Sequence, residues 1–275
     1  MMFCLSIGEK TWSKILEVVR KNAHPSLRSG QRLTHLFEIR LDYLEDELSP
    51  ESISSFILSC RANSLPPTLS CPPSTLSCRA ERGIPHSVRD GAPSLKFIFT
   101  CRLPEEGGKR HVPEEERLRI LKHCLEMGAY LVDLEWKALQ GFIKKNGNPP
   151  FPLDRTLVSF HDFEGAPNDR ALKGLMNSLS KASVKLAKVV CFSEKPEDGL
   201  RLLSLIPYGR RLGMEVVAFG MGEKLSWTRI VSLILGSPFT YVSASKDGGT
   251  APGQLDILSA KSLYEGLTSC IRSTE

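Results

Sequence analysis

Thr156-Leu-Val-Ser-Phe-His-Asp-Phe163 is an apolar run of strand length, and residues 184–190 form a second such run. The stretch between them, residues 169–182, has the apolar spacing of an amphipathic helix. A strand, a helix and another strand in this order predict two parallel strands joined by a helical crossover.

The same unit recurs along the whole chain. Strands are predicted at residues 3–8, 36–44, 95–102, 130–136, 156–163, 184–190, 215–221 and 239–243. Helices are predicted at residues 12–23, 113–128, 169–182, 196–212, 225–235 and 254–271. This alternation predicts a (β/α)8 TIM barrel that forms a single domain over residues 1–275. An open doubly wound sheet is the alternative, but its first strand would be followed by a Gly-rich turn, where Gly8 stands alone.

Residues 63–94 interrupt this alternation. The segment is rich in Pro and Ser and has few apolar residues, which predicts a flexible insertion without regular structure. No function is predicted for it.

The composition is that of an ordinary globular protein, with 41% hydrophobic and 24% charged residues. The formal charge of +5 is spread along the chain without a basic run interleaved with aromatics, so no nucleic-acid partner is expected. No stretch approaches the roughly 20 apolar residues that cross a bilayer, so no membrane contact is expected. Residues 1–8 lack the features of a signal peptide, so a cytoplasmic location is expected.

The eight cysteines are expected to be free thiols, because an intracellular chain need not pair them. Their spacings include no close C-x(2 to 4)-C pair of the kind that begins most zinc sites, so no metal is expected.

Lys185 lies in the run Ser183-Val-Lys-Leu-Ala187, where the pattern calls for an apolar strand. Alternation of side chains places Lys185 on one face and Lys188 on the other, which is expected to face outward or to lie at the strand end. In the barrel lumen, loss of hydration would lower the pKa of Lys185 and leave a neutral, nucleophilic amine. A buried ion pair with Glu38 or Asp133 is the alternative.

His161 lies near the C-terminal end of its strand, where the active sites of (β/α)8 barrels are built. Imine formation, loss of an α-proton and expulsion of hydroxide each move a proton, and imidazole titrates near neutral pH. Glu106, in the run Arg102-Leu-Pro-Glu-Glu-Gly-Gly108, is expected to orient His161 or to fix its protonation state. The alternatives are a hydrogen-bonded structural histidine and an exposed acidic turn at Glu105 and Glu106.

Arg40, Arg102 and Arg229 are expected to converge on one pocket, because a guanidinium group binds a carboxylate through two hydrogen bonds. A surface position is equally open for Arg229. The loop Lys246-Asp-Gly-Gly-Thr-Ala-Pro-Gly-Gln254 precedes the last helix and predicts an anion-binding nest, with a plain Gly-rich connector as the alternative. These residues together indicate an imine-forming lyase or aldolase that acts on a small carboxylated, hydroxylated ketone.

Five motifs stand in order at the predicted strand ends. They are Phe37-Glu-Ile-Arg-Leu-Asp42, Phe99-Thr-Cys-Arg102 with Glu105-Glu-Gly-Gly108, Val158-Ser-Phe-His-Asp-Phe163, Val184-Lys-Leu-Ala187 and Thr250-Ala-Pro-Gly-Gln254. The set resembles the type I 3-dehydroquinate dehydratases, which are (β/α)8 enzymes of the shikimate pathway in aromatic amino-acid biosynthesis. The resemblance covers nearly the whole chain.

The resemblance implies a cofactor-free dehydration of 3-dehydroquinate to 3-dehydroshikimate. In it, Lys185 resembles the family lysine that condenses with the C3 ketone, His161 the general acid and base, and Glu106 the carboxylate partner of this histidine. The residues implied in substrate binding are Ser6, Glu38, Arg40, Arg102, Phe163, Met221, Arg229, Thr250 and Gln254.

The resemblance also implies partners and shows departures. Family members are commonly homodimers, and in some lineages the domain is fused to shikimate dehydrogenase. Thr250 stands where the family usually has serine, and Phe219 replaces a frequent methionine. Two other functions remain open: another Schiff-base barrel of the class I aldolase type, and a non-catalytic barrel module.

Overall fold

The computed structural model describes residues 2–23, 34–62 and 95–272. Eight strands occur in these ranges and are numbered β1 to β8: Phe3–Ile7, Leu36–Arg40, Lys96–Thr100, Leu131–Glu135, Thr156–Asp162, Leu186–Phe192, Glu215–Met221 and Thr240–Val242. An α-helix follows each strand, and these are numbered α1 to α8: Trp12–Ala23, Pro50–Ala62, Glu114–Glu126, Trp136–Asn146, Asp169–Lys181, Pro196–Arg211, Thr228–Ile234 and Ile257–Arg272.

All the strands belong to one parallel sheet, in the order β7-β6-β5-β4-β3-β2-β1-β8. The last strand returns to pair with the first, so the sheet closes into a barrel except between β7 and β8. The prediction of a (β/α)8 barrel is confirmed. Helices α2 and α4 were not predicted, whereas α1 and β7 have the predicted bounds.

Strand β6 begins two residues later than predicted. Helix α5 ends at Lys181, and Ser183 then adopts a left-handed conformation with φ of 62°. The N–H of Val184 donates to the carbonyl of Leu179 at 3.1 Å, so Val184 still belongs to the turn that closes the helix. The strand therefore starts at Leu186 and not at Val184.

The inner face of the barrel has two layers of different chemistry. Toward the N-terminal ends of the strands the layer is apolar and consists mainly of Cys4, Leu36, Ile98, Leu131, Leu157 and Leu186. Toward the C-terminal ends the layer is polar and buried, and it includes Glu38, Arg40, Thr100, Arg102, Asp133, Glu135, Ser159 and Lys188. The larger apolar core lies between the sheet and the helices. A buried polar layer at the C-terminal ends marks this end as the functional one.

The predicted insertion at residues 63–94 lies outside the described residues. None of the helices in the described ranges is long and apolar enough to cross a membrane. Cys4, Cys101, Cys124 and Cys191 are buried free thiols, in agreement with the prediction for these four. Over the same ranges, no cluster of three or more His, Cys, Asp or Glu side chains is arranged to hold a metal ion.

Candidate active site

A cavity of about 290 Å³ opens at the C-terminal ends of the strands. Its walls combine charged and aromatic side chains from β2, β5, β6, β7 and β8 and from the segments that follow β2, β3, β5, β7 and β8. The lining residues are Glu38, Arg40, Tyr43, Arg102, Glu106, Gly107, Lys109, His161, Phe163, Lys188, Val190, Phe219, Met221, Arg229, Tyr241, Thr250, Ala251, Pro252 and Gln254. Ten of the twelve residues predicted for the site are among them, and the other two are Ser6 and Lys185.

Ser6 lies directly behind this wall. Its hydroxyl donates to the carboxylate of Glu38 and lies 2.8 Å from the hydroxyl of Thr250. The other oxygen of Glu38 accepts a hydrogen bond from Thr100 at 2.9 Å. The prediction placed Ser6 in the pocket lining, whereas in the structure it supports Glu38 and Thr250 from behind.

The prediction that Lys185 faces the lumen is wrong. Lys185 precedes β6 and is exposed, and its carbonyl accepts a hydrogen bond from the N–H of Glu215 at 2.9 Å. Lys188 instead lies within β6, is 6% exposed and lines the cavity. The two lysines are three residues apart and so belong to opposite faces. The face that turns inward carries Leu186 and Val190, and therefore Lys188.

One signal in the sequence favoured Lys188. Apolar residues continue from Val189 to Phe192 after it, whereas Lys185 stands near the N-terminal margin of the run. A catalytic lysine of a barrel is also expected toward the C-terminal end of its strand, and Lys188 is three residues nearer that end. In the sheet, Lys188 pairs with Ser159, one inward position before His161 on β5.

The environment of Lys188 favours the neutral amine. Burial is the largest influence and lowers the pKa of Lys188, against the opposing charges of Asp133 and Glu38. Its Nζ atom lies 3.6 Å from Oδ2 of Asp133 and 4.2 Å from the centroid of the Tyr241 ring. The nearest carboxylate is therefore beyond ordinary hydrogen-bond distance, and the amine is not held firmly in the charged form.

His161 and Glu106 form a close pair at the mouth of the cavity. Oε2 of Glu106 lies 2.9 Å from Nδ1 of His161 and accepts a hydrogen bond from the backbone N–H of the same residue at 3.1 Å. Burial lowers the pKa of His161, and the charges of Arg102 and Lys188 act in the same direction. Burial also raises the pKa of Glu106 to about 7, and Arg102 partly offsets this rise.

Because of these pKa shifts, His161 is a neutral imidazole that is hydrogen-bonded to Glu106, and the two residues do not form an ion pair. When Glu106 is ionised, it accepts from Nδ1–H, which leaves a lone pair on Nε2 of His161. A neutral imidazole in this tautomer can take a proton from a bound substrate. The predicted partnership of these two residues is therefore present in the structure.

A glycine allows Glu106 to reach the histidine. Residues Pro104–Glu106 form a short 3-10 helix that ends at Gly107, which has φ of 87°. A Cβ atom at this position would lie 2.6 Å from Cζ of Phe163, in addition to the strain of the left-handed conformation. A larger residue at position 107 would therefore displace either Glu106 or Phe163.

Arg102 is the centre of a buried ion network. Its Nη1 atom donates to Glu135 at 3.0 Å and to Ser159 at 2.6 Å, and its Nη2 atom donates to Asp133 at 2.5 Å. Burial alone would raise the pKa of Asp133, but Arg102 and Lys188 hold it below its usual range. With two carboxylates already bound, Arg102 is suited to position the site more than to bind a further carboxylate.

Glu135 extends this network to a helix outside the barrel. Its Oε2 atom accepts from Nη1 of Arg117 on α3 at 2.7 Å, and Oε1 accepts from the N–H of Leu103 at 3.2 Å. Arg117 is 1% exposed. It is a site-supporting residue that was not predicted, because the candidate residues were taken from the strand ends and Arg117 lies on a helix.

Arg40 is likewise occupied by a carboxylate. Its Nε and Nη2 atoms donate to the two oxygens of Asp42 at 2.8 and 2.7 Å. Asp42 also accepts from the backbone N–H groups of Arg102 and Lys109. Arg40 therefore lies at the cavity wall with its charge already compensated.

Arg229 differs from the other arginines of the cavity. It is 1% exposed, and among the described residues its guanidinium donates to the carbonyls of Gly253 at 3.2 Å and Pro252 at 3.4 Å. Burial lowers its pKa to about 9. Within the described ranges, no carboxylate lies at ion-pairing distance from Arg229, so its charge is available to an anion that enters the cavity.

The segment after β8 closes the cavity beside Arg229. Oε1 of Gln254 accepts from the N–H of Thr250 at 2.7 Å and lies 3.2 Å from the hydroxyl of the same residue. The predicted anion-binding loop is thus a turn that presents Thr250 and Gln254 to the cavity. Tyr43 and Tyr241, which were not predicted, complete the lining on two sides.

Comparison with known proteins connects this site to one family. Residues 84–269 match the family model of type I 3-dehydroquinase. A 3-dehydroquinate dehydratase from Syntrophobacter fumaroxidans is 34% identical over 171 residues, which cover 61% of this chain and 71% of the relative. The range matched by the family model includes His161 on β5, Lys188 on β6 and Arg229 on α7.

Solved structures with the same fold include two dehydratases. Type I 3-dehydroquinate dehydratase from Clostridium difficile, solved with covalently modified comenic acid, has a TM-score of 0.74 and 17% identity, and the match covers 98% of this chain and 92% of that one. The structure of dehydroquinate dehydratase and shikimate dehydrogenase from S. pombe has a TM-score of 0.63 and 19% identity, and the match covers 94% of this chain and 43% of that one. Since the family model spans more than half of the 275 residues, the chain belongs to the type I 3-dehydroquinase family.

Proposed function

We propose that this chain is a cofactor-free hydro-lyase that dehydrates 3-dehydroquinate to 3-dehydroshikimate, with Lys188 as the imine-forming lysine. The observation that carries the proposal is a buried lysine with a lowered pKa in the same cavity as the His161–Glu106 pair. Lys188 takes the role that the resemblance first suggested for Lys185. The exposed position of Lys185 supports this reassignment.

The reaction requires only groups that line the cavity. The neutral amine of Lys188 adds to the C3 carbonyl, and loss of water gives an iminium ion, which acidifies the protons at C2. His161 accepts one C2 proton and returns it to the C1 hydroxyl as that group leaves as water. Hydrolysis of the conjugated iminium then releases the enone and restores Lys188. The net change is the loss of one molecule of water.

Substrate binding follows from the charges of the cavity. Arg229 is proposed to bind the substrate carboxylate, with Thr250 and Gln254 beside it near C1. Glu38, Arg40 and Arg102 are proposed to face the ring hydroxyls, because a carboxylate or a compensated arginine suits a neutral partner. Phe163 and Met221 supply apolar contact with the ring.

Product formation tests this function directly. Purified protein is incubated with 3-dehydroquinate, and the absorbance of the conjugated enone is followed. An absence of product at millimolar substrate would overturn the proposal. A class I aldolase would also form an imine but would not give this product, and a non-catalytic module would form neither.

The pKa of Glu106 leads to an expected pH dependence. Because this pKa is about 7, the ionised form that fixes the tautomer of His161 prevails above pH 7, and kcat is expected to rise with pH through this range. In Glu106→Gln, kcat is expected to fall by roughly tenfold or more, and it should no longer rise with pH through this range. Steady-state kinetics from pH 5.5 to about 8.5 measure both effects.

The adjacent Glu105 offers a matched control. Glu105 is exposed and lies on the same turn, so Glu105→Gln should keep both the rate and the pH profile of the unaltered enzyme. If Glu106→Gln retains the rise in kcat with pH, Glu106 does not control the protonation of His161.

We further propose that the chain is cytoplasmic and forms a homodimer, and that it works with shikimate dehydrogenase as a fused or associated partner. Buried free thiols such as Cys4 and Cys124 are in keeping with a reducing compartment. Light scattering after size exclusion tests the dimer, since its mass would be twice the 30.5 kDa of one chain.

A further inference from the structure

Two aromatic side chains, Phe219 on β7 and Tyr241 on β8, lie side by side in the cavity wall, and Phe239 packs against Tyr241. The ring of Tyr241 packs edge-on against two neighbours, with centroids 6.2 Å from Phe219 and 5.6 Å from Phe239. Phe219 is 2% exposed and Tyr241 is 4% exposed. Close packing on several sides holds both rings in place. We call Phe219 and Tyr241 the aromatic shelf.

Two cations of the cavity each lie over one ring of the aromatic shelf. Nζ of Lys188 is 4.2 Å from the centroid of Tyr241, and Cζ of Arg229 is 4.3 Å from the centroid of Phe219. Both distances fall within the roughly 6 Å over which a cation is attracted to an aromatic face. Two adjacent rings therefore support the proposed nucleophile and the proposed carboxylate-binding group.

The other arginines of the cavity wall are held by carboxylates. Both oxygens of Asp42 bind Arg40, and Asp133 and Glu135 bind Arg102 at 2.5 and 3.0 Å. These pairs leave little of the positive charge for a ligand. Arg40 and Lys109 also lie over an aromatic ring, that of Tyr43, at 4.9 and 5.6 Å, but Arg40 is held by Asp42 and Lys109 is exposed. Lys188 and Arg229 are buried and, within the described ranges, combine an aromatic contact with no carboxylate at hydrogen-bond distance.

A carboxylate would be unsuitable beneath either cation. Next to Arg229 it would compete with the carboxylate of the substrate, and in close contact with Lys188 it would keep the amine protonated. An aromatic face attracts a cation more weakly and brings no negative charge or proton acceptor. It also attracts the iminium ion, because the positive charge returns to Nζ when the imine forms.

We propose that the aromatic shelf positions Lys188 and Arg229 and stabilises their charge without neutralising it, with Tyr241 acting on the imine step and Phe219 on carboxylate binding. Both are positioning residues, since they act through the two cations. The proposal rests on the roles assigned above to Lys188 and Arg229. The ring of Tyr241 carries the effect, because its hydroxyl makes no hydrogen bond within the described ranges.

Leucine variants of the two rings should affect different kinetic constants. In Phe219→Leu, KM for 3-dehydroquinate is expected to rise by roughly five- to tenfold, with kcat within about twofold of the unaltered enzyme. In Tyr241→Leu, kcat and the rate of borohydride trapping at saturating substrate are expected to fall by roughly five- to tenfold, with KM within about twofold. Tyr241→Phe keeps the ring and should retain all three values.

A buried ring that faces the helices provides the matched control. Phe99 on β3 is fully buried and contacts Phe56 and Phe97 outside the lumen, so Phe99→Leu should lower the melting temperature and leave kcat and KM unchanged. Methionine fills more of the ring volume, so Phe219→Met and Tyr241→Met serve if either leucine variant does not fold.

The outcomes separate this proposal from the proposed function. The aromatic shelf is refuted if both ring variants change the same constant, if both stay within twofold, or if Tyr241→Phe loses as much as Tyr241→Leu. Arg229→Met tests the carboxylate assignment independently and should raise KM more than Phe219→Leu does. If the unaltered enzyme forms no product, the proposed dehydration is wrong. If Arg229→Met leaves KM unchanged, the assignment of Arg229 to the substrate carboxylate is wrong. Both results overturn the proposed function and are distinct from the outcomes that refute the aromatic shelf.

Discussion

Replacement of Lys188 by alanine is expected to lower the rate of 3-dehydroquinate dehydration by at least about a thousandfold, because Lys109, the other lysine among the lining residues, is exposed and lacks the burial that favours a neutral amine. The substrate should still bind weakly, since Arg229 keeps its charge. Two measurements follow this result: the absorbance of the enone product, and mass spectrometry of the protein after borohydride treatment with substrate. The unaltered chain should gain the reduced adduct at Lys188.

Lys185→Ala is the matched control for this experiment. The two lysines are three residues apart, but Lys185 is exposed and lies outside the cavity, so its removal should leave turnover and trapping intact. The opposite pattern, with trapping at Lys185 and an active Lys188→Ala variant, would show that β6 has a different register. Full activity in both variants would show that neither of these lysines forms the imine.

Replacement of His161 by alanine is expected to lower kcat by about 10²- to 10⁴-fold, the usual contribution of a general acid and base. The imine should still form, because Lys188 and Arg229 remain, and should then accumulate, since its C2 proton has no acceptor. Intact-protein mass spectrometry after brief mixing with substrate and borohydride measures the accumulated fraction. That fraction should exceed the one found with the unaltered enzyme.

An exposed histidine serves as the control. His111 follows the loop of Glu106 but points to solvent, so His111→Ala should keep the kcat and the trapped fraction of the unaltered enzyme. Rapid turnover by His161→Ala would identify another base. Loss of both turnover and trapping in that variant would instead place His161 in the formation of the imine.

Much of the candidate site follows from position along the strands. His161 and Arg102 lie at or just beyond the C-terminal ends of strands that the apolar runs predict, and these ends meet at one edge of a barrel. Glu106 was predicted to orient His161, and the structure places the two side chains 2.9 Å apart. The roles of these residues in the reaction stay predictions until the variants are measured.

The state of the three predicted arginines could not be read from the sequence. Arg40, Arg102 and Arg229 all line the cavity, but carboxylates bind the first two and leave only Arg229 to an incoming anion. An ion pair depends on distances between strands that are far apart in the chain. The sequence of one strand does not show which side chains the neighbouring strand places beside it. Whether an arginine is paired with a carboxylate therefore follows only from the pairing of the strands in the sheet.

By itself, the sequence determined the order of the eight strands and of six of the helices, and therefore the (β/α)8 barrel, because the periods of apolar residues are local properties. Only the tertiary structure decided between Lys185 and Lys188. Side chains along a strand alternate with a period of two, so the choice of face depends on where the strand begins and how it pairs. The turn at Ser183 and the pairing of Lys188 with Ser159 set that phase and place Lys188 in the cavity.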